Sequence, residues 1–519
     1  MPVTATYPGV YIDELSSGVH TITGVATSVA AFVGATSRGP TDGPVHITSF
    51  ADFQRTFGEV TPDSPVSQAV YQFYLNGGSE AEVVRLSNGA AATISLDGVP
   101  LVAKGPGAWG NSLRVRVDYD TATGPPSGGA DATSYNLTAL DTTTGTREAF
   151  LNVSTIPTAA RSLANVLAGS TLLALPATGA VQDKAPGKHA DIPLTDPDQN
   201  PFSDAHADRY TQGSDGTPGG TPGANDYNGG SSGQADKKGI YQLLKTDIFN
   251  LLCLPGAPAS VLSVALQLCV DRRAVLLVDP PPAWTTVATA VSGMASPPVS
   301  GDGAKNAVVY FPRLQIPDPV QSGVTRTVDP CGTLAGVMAR TDVQRGVWKA
   351  PAGTAASLSG VLALDVPMTD LENGQLNKLG VNCLRIFPVI GPVSWGARTL
   401  RGADRIADEW KYLPVRRLAL FIEESLFRGT QWVVFEPNDE PLWASIRMNV
   451  GAFMNGLFRQ GAFQGVTARE AYLVKCDKEN NPQNDIDQGI VNILVGFAPL
   501  KPAEFVIIHI HQLAGQLQT

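Results

Sequence analysis

Short runs of consecutive apolar residues recur in the first and middle parts of the chain, each bounded by glycine, proline or polar residues. Such runs of about four to eight residues are typical of strands buried on both faces of a sheet. The predicted buried strands lie within residues 24–36, 82–87, 248–254, 274–278 and 306–311. Helical spacing predicts helices at 49–58, between Ser49 as cap and Gly58 as stop, and at 66–75 and 259–270. Strands alternating with helices predict a parallel or mixed α/β sheet.

The last quarter of the chain has a different pattern. An apolar stripe over residues 415–426 predicts a helix that ends at Gly429, and Pro441 lies in the first turn of a second predicted helix. Strands are predicted at 472–476 and 490–497, because apolar residues alternate along the second of these segments.

Both ends of the chain contain residues that favour strands. Residues 505–511 form a nearly continuous run of such residues, and residues 7–14 form a second, shorter extended segment. A strand at the end of a chain pairs either with its own fold or with another molecule, because its backbone groups need partners. We therefore predict a sheet-forming arm at each terminus.

Residues 96–237 differ from their surroundings, since they are rich in Thr, Ala, Gly, Asp and Pro. Within them, residues 211–233 contain eight glycines and two prolines. A segment with so little apolar surface does not offset the entropy lost on ordering. We interpret 96–237 as an inserted, exposed, mostly β domain with a mobile loop.

Composition narrows the possible functions. A chain of 519 residues is expected to form two to four domains. Only 16% of residues are charged, which suggests a surface largely covered by other protein, and the net charge of −10 argues against nucleic acid as a partner. Five widely spaced cysteines without a C-x-x-C motif indicate buried thiols in a reducing compartment. Neither a secretory signal nor a membrane-spanning run is recognisable, so we expect synthesis in the cytosol.

Two motifs suggest chemistry, and both have a simpler explanation. Residues 105–110 match G-x-G-x-x-G, but an alternating strand follows them, whereas a dinucleotide site requires a helix there. His509 and His511 lie on one face of the predicted terminal strand, yet two histidines without a third ligand are a weak metal signal. We predict no catalytic residue, cofactor or metal, and keep a dinucleotide-binding enzyme as an unlikely alternative.

Several blocks of sequence, in a fixed order, together resemble the contractile tail sheath proteins of phages, R-type tailocins and extracellular contractile injection systems. The resemblance covers residues 7–110 and 240–512, and its blocks lie at 7–14, 31–58, 106–111, 336–353, 393–400, 416–418, 435–438 and 499–505. The residues that we single out in the two most specific blocks are Arg340, Asp342, Arg345, Gly346 and Trp348, and Trp395, Gly396 and Arg398.

The resemblance implies a multi-domain α/β architecture in three layers. The expected parts are an N-terminal arm (1–22) that joins the inner domain, a middle α/β domain (23–95 and 238–370) and an inserted variable outer β domain (96–237). An inner α+β C-terminal domain (371–500) and a C-terminal arm (501–519) complete the chain.

The resemblance also implies a structural function without an enzyme's chemistry. Sheath subunits form a helical tube of stacked rings, six subunits to a ring, around an inner tube, with baseplate and cap proteins at the ends. Contraction from a metastable extended state drives the inner tube through a target envelope. Assembly is expected in the bacterial cytoplasm, without nucleic acid or direct membrane insertion, and a cap or baseplate component with the sheath fold is the alternative.

In this family, arms from neighbouring subunits add strands to the inner domain, which assigns three sets of candidate residues. The arms are Tyr7, Pro8, Gly9, Val10, Tyr11 and Ile12 at one end, and Phe505, Val506, Ile507, Ile508, His509 and Ile510 at the other; the accepting hairpin contains Tyr472, Val474, Val491, Ile493, Val495 and Phe497. Arg416, Arg417, Glu423 and Glu424 are candidates for contact with solvent, neighbours or the inner tube, and the sequence does not decide between these.

Overall fold

The computed structural model describes residues 20–122, 134–176 and 185–508. The strands in these ranges are β1 (Ala30–Gly34), β2 (Val45–Ile47), β3 (Ala81–Arg85), β4 (Thr93–Leu96), β5 (Val99–Ala103), β6 (Leu113–Asp118), β7 (Ser134–Asp141), β8 (Arg147–Ser154), β9 (Leu173–Ala174), β10 (Thr211–Gln212), β11 (Leu251–Cys253), β12 (Val275–Val278), β13 (Ala307–Phe311), β14 (Leu314–Pro317), β15 (Thr325–Val328), β16 (Ala363–Leu364), β17 (Asn382–Phe387), β18 (Gly391–Ser394), β19 (Tyr472–Lys475) and β20 (Leu494–Phe497). The helices are α1 (Phe50–Phe57), α2 (Pro65–Leu75), α3 (Leu163–Leu167), α4 (Ala224–Asn228), α5 (Leu262–Asp271), α6 (Val287–Gly293), α7 (Cys331–Arg345), α8 (Asp370–Asn377), α9 (Leu413–Gly429), α10 (Glu440–Arg459), α11 (Ala468–Ala471) and α12 (Gln483–Asp487).

An eight-stranded sheet forms the middle of the molecule, in the order β18-β17-β13-β12-β11-β1-β3-β2. The six inner strands are parallel, and an antiparallel strand closes each edge. Alternate residues of each strand point to two separate cores, so that Phe32 belongs to one core and Val33 to the other. Burial on both faces explains the continuous apolar runs, and confirms the predicted α/β sheet.

Helices α2 and α7 pack closely on one face of this sheet. A side chain at Gly332 or Gly336 of α7 would place its Cβ 2.2 Å from the carbonyl oxygen of Ala69 or 2.5 Å from that of Phe73. These two glycines, four residues apart, therefore let the helix backbones approach each other.

The local signals at helix ends are confirmed. The Ser49 side chain accepts a hydrogen bond from the Asp52 backbone N–H, and Gly58 ends α1 with a positive φ of 90°. Helix α9 ends at Gly429, and Pro441 lies in the first turn of α10.

The sheet extends further along the chain than the predicted middle domain. Strand β17 pairs with β13 in parallel and with β18 in antiparallel, although both β17 and β18 fall within the predicted inner segment 371–500. Strands β17 and β18, which follow residue 370, thus belong to the same sheet as β13. The prediction missed β17 because Arg385 interrupts its apolar run.

The predicted inserted segment, together with the start of β4 just before it, forms two small sheets, β4-β5-β9 and β10-β6-β7-β8, which share one core. The glycine-rich segment 211–233, which was predicted to be a mobile loop, makes close contacts with the rest of the chain. A Cβ at Gly213 would lie 2.2 Å from the carbonyl oxygen of Gly110, and Tyr227 is buried in the central core. Its glycines permit close contact between backbones.

The turn at 105–110 does not open an α-helix. A single 3₁₀ turn over Ala108–Ser112 follows it and leads directly into β6. In a dinucleotide site, the backbone N–H groups at a helix N-terminus bind the pyrophosphate. The turn at 105–110 does not present such a helix end, in agreement with the strand that the sequence predicts after it. Among the described residues, no helix is both long enough and apolar enough to cross a bilayer.

The C-terminal unit is built from α9, α10, α11 and the two-stranded sheet β19-β20. Its core contains Leu418, Ile422, Trp443, Ile446 and Met454, which are the apolar stripes of the two long helices. Helical spacing in the sequence predicted these stripes correctly.

Candidate functional site

A buried ion pair fixes the point at which the C-terminal segment leaves the body of the protein. The Arg398 side chain is fully buried and donates to both oxygens of Glu504, from Nε at 2.7 Å and from Nη2 at 2.5 Å. Tyr412 donates its hydroxyl to the same carboxylate at 3.2 Å. Such bidentate, charge-assisted bonds define both position and orientation. We call Arg398, Glu504 and Tyr412 the C-terminal anchor.

Local structure around Asn382 holds Arg398 in place. The Asn382 side chain accepts from the Arg398 backbone N–H at 2.7 Å and donates to its carbonyl at 2.8 Å. A Cβ at Gly396 would lie 2.8 Å from the same amide oxygen, so this motif position requires glycine. Burial alone would lower the pKa of Arg398, but the bonds to Glu504 and Asp404 outweigh it and raise the pKa. Arg398 therefore remains charged.

A cleft of about 900 Å³ lies beside the anchor. The indoles of Trp348 and Trp395 line it together with Arg345 and Gly396, so that much of the family motif meets here. The motif glycine Gly346 has a φ of 85°, and its position leaves no room for a Cβ beside the Trp348 ring. Two blocks that are about 50 residues apart thus form one surface.

Beyond the anchor, four apolar side chains are exposed. Phe505, Val506, Ile507 and Ile508 are between 73% and 81% exposed, and they form no strand within the single chain. The predicted terminal strand is therefore not formed intramolecularly over these residues. His509 and Ile510 lie outside the described residues. A run of exposed β-branched residues next to a rigid anchor has the properties of a strand that waits for a partner.

The root of the N-terminal segment lies along the two long helices. The His20 ring stacks on Trp432 with 4.0 Å between centroids, and the Val25 backbone N–H donates to the Ser425 hydroxyl at 3.2 Å. Ile22 is buried in the core of the C-terminal unit. The predicted arm residues Tyr7, Pro8, Gly9, Val10, Tyr11 and Ile12 lie outside the described residues.

A second buried ion pair joins this root to both units. Arg417 donates to both carboxylate oxygens of Asp342, at 2.9 and 2.6 Å, and to the Thr27 carbonyl at 2.9 Å. Both side chains are less than 5% exposed. Arg417 was a candidate for contact with neighbours, but the structure uses it inside the chain to link α9, α7 and the N-terminal root.

Other predicted charged residues also have partners within the chain. Arg340 donates to the carbonyl oxygens of Asn76 and Ser357, which connects α7 with the end of α2. Arg416 pairs with Glu423, and Glu424 pairs with Arg273 and Arg428. Glu423 is partly exposed, whereas the arginines are largely committed to the fold.

The predicted accepting strands pair with each other, with a long connection between them. Tyr472 lies opposite Phe497 and Val474 opposite Val495, and these side chains pack on the core of the C-terminal unit. Val491 and Ile493 pack there as well, but they lie before β20 begins. The opposite face carries Leu473 and Leu494, each about half exposed. Among the described residues, neither strand has a ladder partner on its outer side.

Sequence reasoning did not identify the partners of the motif residues. Glu504 lies 106 positions from Arg398, and Asp342 lies 75 positions from Arg417. A single acidic residue directly before the apolar run of the arm was the one local signal that could have indicated an anchor. Within 20–122, 134–176 and 185–508, no three potential metal ligands cluster.

Comparisons with known proteins agree with these features. Residues 407–512 match the family model "Phage tail sheath C-terminal domain". The tail sheath protein of Vibrio phage KVP40 is 26% identical over 185 residues, which cover 36% of this chain and 26% of that protein. The C-terminal part of the chain is therefore similar to contractile tail sheath proteins.

Solved sheath structures share the fold over nearly the whole chain. One is the PVC sheath complex of an extracellular contractile injection system in the contracted state, with a TM-score of 0.57, 21% identity and 99% of each chain covered. Another is the helical sheath of the anti-feeding prophage in the contracted state, with a TM-score of 0.57, 22% identity, and 98% and 100% covered. The match to the KVP40 sheath protein spans about a quarter of its length. The segment that the family model matches contains α9, α10, the β19-β20 sheet and Glu504.

Proposed function

We propose that the protein is the structural sheath subunit of a contractile tail or contractile injection system. In this proposal it polymerises into a helical tube of six-membered rings around an inner tube, between a baseplate and a cap. It contracts from a metastable extended state and uses no catalytic chemistry. The match of residues 407–512 to the tail sheath family model and the fold shared with solved sheath structures support the proposal.

One observation carries the proposal: an anchored apolar segment without a partner. The Arg398–Glu504 pair holds the root rigidly, while the next four side chains remain in water. Exposed strand-forming residues of this kind gain main-chain hydrogen bonds and apolar burial when they extend a sheet. The outer edges of β19 and β20 provide such a sheet in a neighbouring copy.

The arms are proposed as permanent links between subunits. Residues 7–12 and 505–510 would each add a strand to the β19-β20 sheet of a neighbour. Several main-chain hydrogen bonds at about 0.5–1.5 kcal/mol each would hold every strand. Subunits would stay linked while their rigid bodies rotate, with energy from new contacts between subunits rather than from a nucleotide.

The test is assembly of the purified full chain, followed by negative-stain electron microscopy and sedimentation. We expect tubes from the wild type and none from a chain that ends at Glu504. The matched control replaces Thr519 and the four residues before it by serine, which changes the end but keeps 505–510. Tubes formed by the truncated chain would refute the role of the arm, and many copies per particle would distinguish a sheath from a cap component.

A further inference from the structure

One block of the family motif, residues 435–438, combines a residue bonded within the chain with a fully exposed aromatic residue. Asn438 accepts from the Trp443 indole N–H and donates to the Ile490 carbonyl, and Asp439 caps α10. Phe435, in the same turn, is 102% exposed, so no other described residue covers its ring. Its φ of 72° lies in the left-handed region, which is uncommon for an aromatic residue. An exposed phenylalanine on a strained turn points to a contact outside the chain.

The cleft beside the C-terminal anchor has the complementary shape and chemistry. Its volume of about 900 Å³ is within the range of about 300–1,000 Å³ that encloses a small ligand. The Trp348 and Trp395 rings offer aromatic walls, on which a phenyl ring packs edge-to-face or in an offset stack.

Charge is complementary as well. In the part of the chain that the structure describes, the cleft residues Arg345, Lys349 and Lys501 form no ion pair, whereas Asp370 and Glu504 are each paired with an arginine. The cleft therefore has an excess of positive charge. Burial and the nearby Arg345 lower the pKa of Lys349. An incoming carboxylate would relieve this crowding.

The carboxylate next to Phe435 meets this need. Glu436 follows Phe435 directly, is exposed, and forms no ion pair with any described residue. We call Phe435 and Glu436 the knob.

The knob and the cleft lie at opposite ends of one rigid element. The knob precedes α10, while Gln460 and Gly461, which border the cleft, follow directly after the helix ends at Arg459. A helix of 20 residues is about 30 Å long. A surface that carries a projection at one end and a matching recess at the other associates head to tail, and such contacts generate open helical assemblies.

We infer that the knob of one copy inserts into the cleft of the next copy, with Phe435 between Trp348 and Trp395 and with Glu436 beside Arg345 and Lys349. This inference rests on the proposed function, since it names a contact within the tube. It is distinct from strand exchange, because the knob and the tryptophan walls of the cleft lie outside both arms, although Lys501, Glu504 and Phe505 of the C-terminal arm also line the cleft.

The first test is a disulfide between copies. The five native cysteines are all buried, so two introduced thiols report the contact with little background. Oxidation of a mixture of Phe435→Cys chains and Ala352→Cys chains is expected to give a covalent dimer, and the double variant a ladder. A matched mixture of Val389→Cys and Ala352→Cys should remain monomeric on the same gel, because Val389 is equally exposed (107%) and has a similar φ of 69°.

The second test separates assembly from folding. Phe435→Gly removes the knob and relieves the left-handed backbone, so the subunit should melt no lower than the wild type. We expect the critical concentration for tube formation to rise about 30-fold, the effect of losing a central aromatic anchor. Val389→Gly, with the same relief of strain, should change it by no more than about twofold.

Each outcome decides between the inference and its alternatives. Tubes from Phe435→Gly at the wild-type concentration would overturn the knob contact and leave the sheath function intact. Absence of the mixed disulfide would also overturn the contact. If the wild type builds no tubes, the proposed function fails, and the mixed disulfide alone then supports or overturns the knob contact.

Discussion

Loss of the Glu504 charge should loosen the loop that carries Arg398. Removing one partner of a buried ion pair costs about 3–5 kcal/mol when nothing replaces it. Arg398 would keep Asp404 at 2.9 Å and the carbonyl oxygen of Asn377 at 2.8 Å. We therefore expect Glu504→Gln to cost about 2–3 kcal/mol, which corresponds to roughly 30- to 150-fold more frequent local opening.

Hydrogen exchange measured by mass spectrometry reports this opening. The backbone N–H groups of Arg398, Thr399 and Leu400 are all bonded within the fold, to Asn382, Lys411 and Ala307, so their exchange requires the loop to open. In Glu504→Gln, exchange in this loop should accelerate by about the same factor, while α2 remains unchanged. This comparison localises the effect to the anchor.

The control is a surface carboxylate of the same type. Glu440 pairs with Arg447 at 2.6 Å but is 53% exposed, so Glu440→Gln should cost less than about 1 kcal/mol. An acceleration below about fivefold in Glu504→Gln, or one equally large in Glu440→Gln, would contradict the assignment of Glu504 as an anchor.

Three further changes test other parts of the structure. Asp342→Asn leaves the buried Arg417 without its counter-ion, so the free energy of unfolding in urea should fall by about 3–5 kcal/mol. Interactions with Lys411 and Arg398 hold the pKa of the Asp404 carboxyl below its usual value of 3.8. The ionised carboxylate therefore stabilises the fold above that pH, and this stabilisation is lost as the pH falls. The melting temperatures of Asp404→Asn and the wild type should differ slightly at pH 6 and converge near pH 2. Gly213→Ala should lower the melting temperature by several degrees, because its Cβ meets a backbone oxygen, whereas Gly220→Ala, with open space around it, should not.

Patterns within about ten residues were reliable guides to the fold. The Ser49 cap, the Gly58 stop and the apolar stripe of α9 depend on neighbours along the chain, and the structure confirms each of them. The continuous apolar runs predicted the central strands for the same reason, since burial on both faces leaves no polar alternation.

Features that depend on distant neighbours were not predictable. A mobile loop was predicted at 211–233 from composition, which reflects the apolar area of a segment but contains no information about contacts between backbones. Gly213 lies against Gly110, more than 100 positions away. A contact between residues so far apart in sequence cannot be predicted from the residues that surround either of them. The same holds for the Arg398–Glu504 pair, whose members belong to separate motif blocks. Motif resemblance marked Arg398 but could not name its partner.

The buried Arg398–Glu504 pair explains why the exposed segment 505–508 does not compromise the body of the subunit. An apolar segment in water tends to collapse onto the nearest apolar surface of its own chain. Glu504 opposes this at the root, because moving the root towards the core would break two charge-assisted bonds to Arg398. Near the other end of the chain, Arg417 holds the backbone in place at Thr27, to whose carbonyl oxygen it donates. The geometry of the Arg398–Glu504 pair directs the start of the exposed segment 505–508 outward and connects it, through Asn382 of β17, to the central sheet. We therefore expect a weakened anchor to impair assembly through misdirected arms while the subunit itself stays folded.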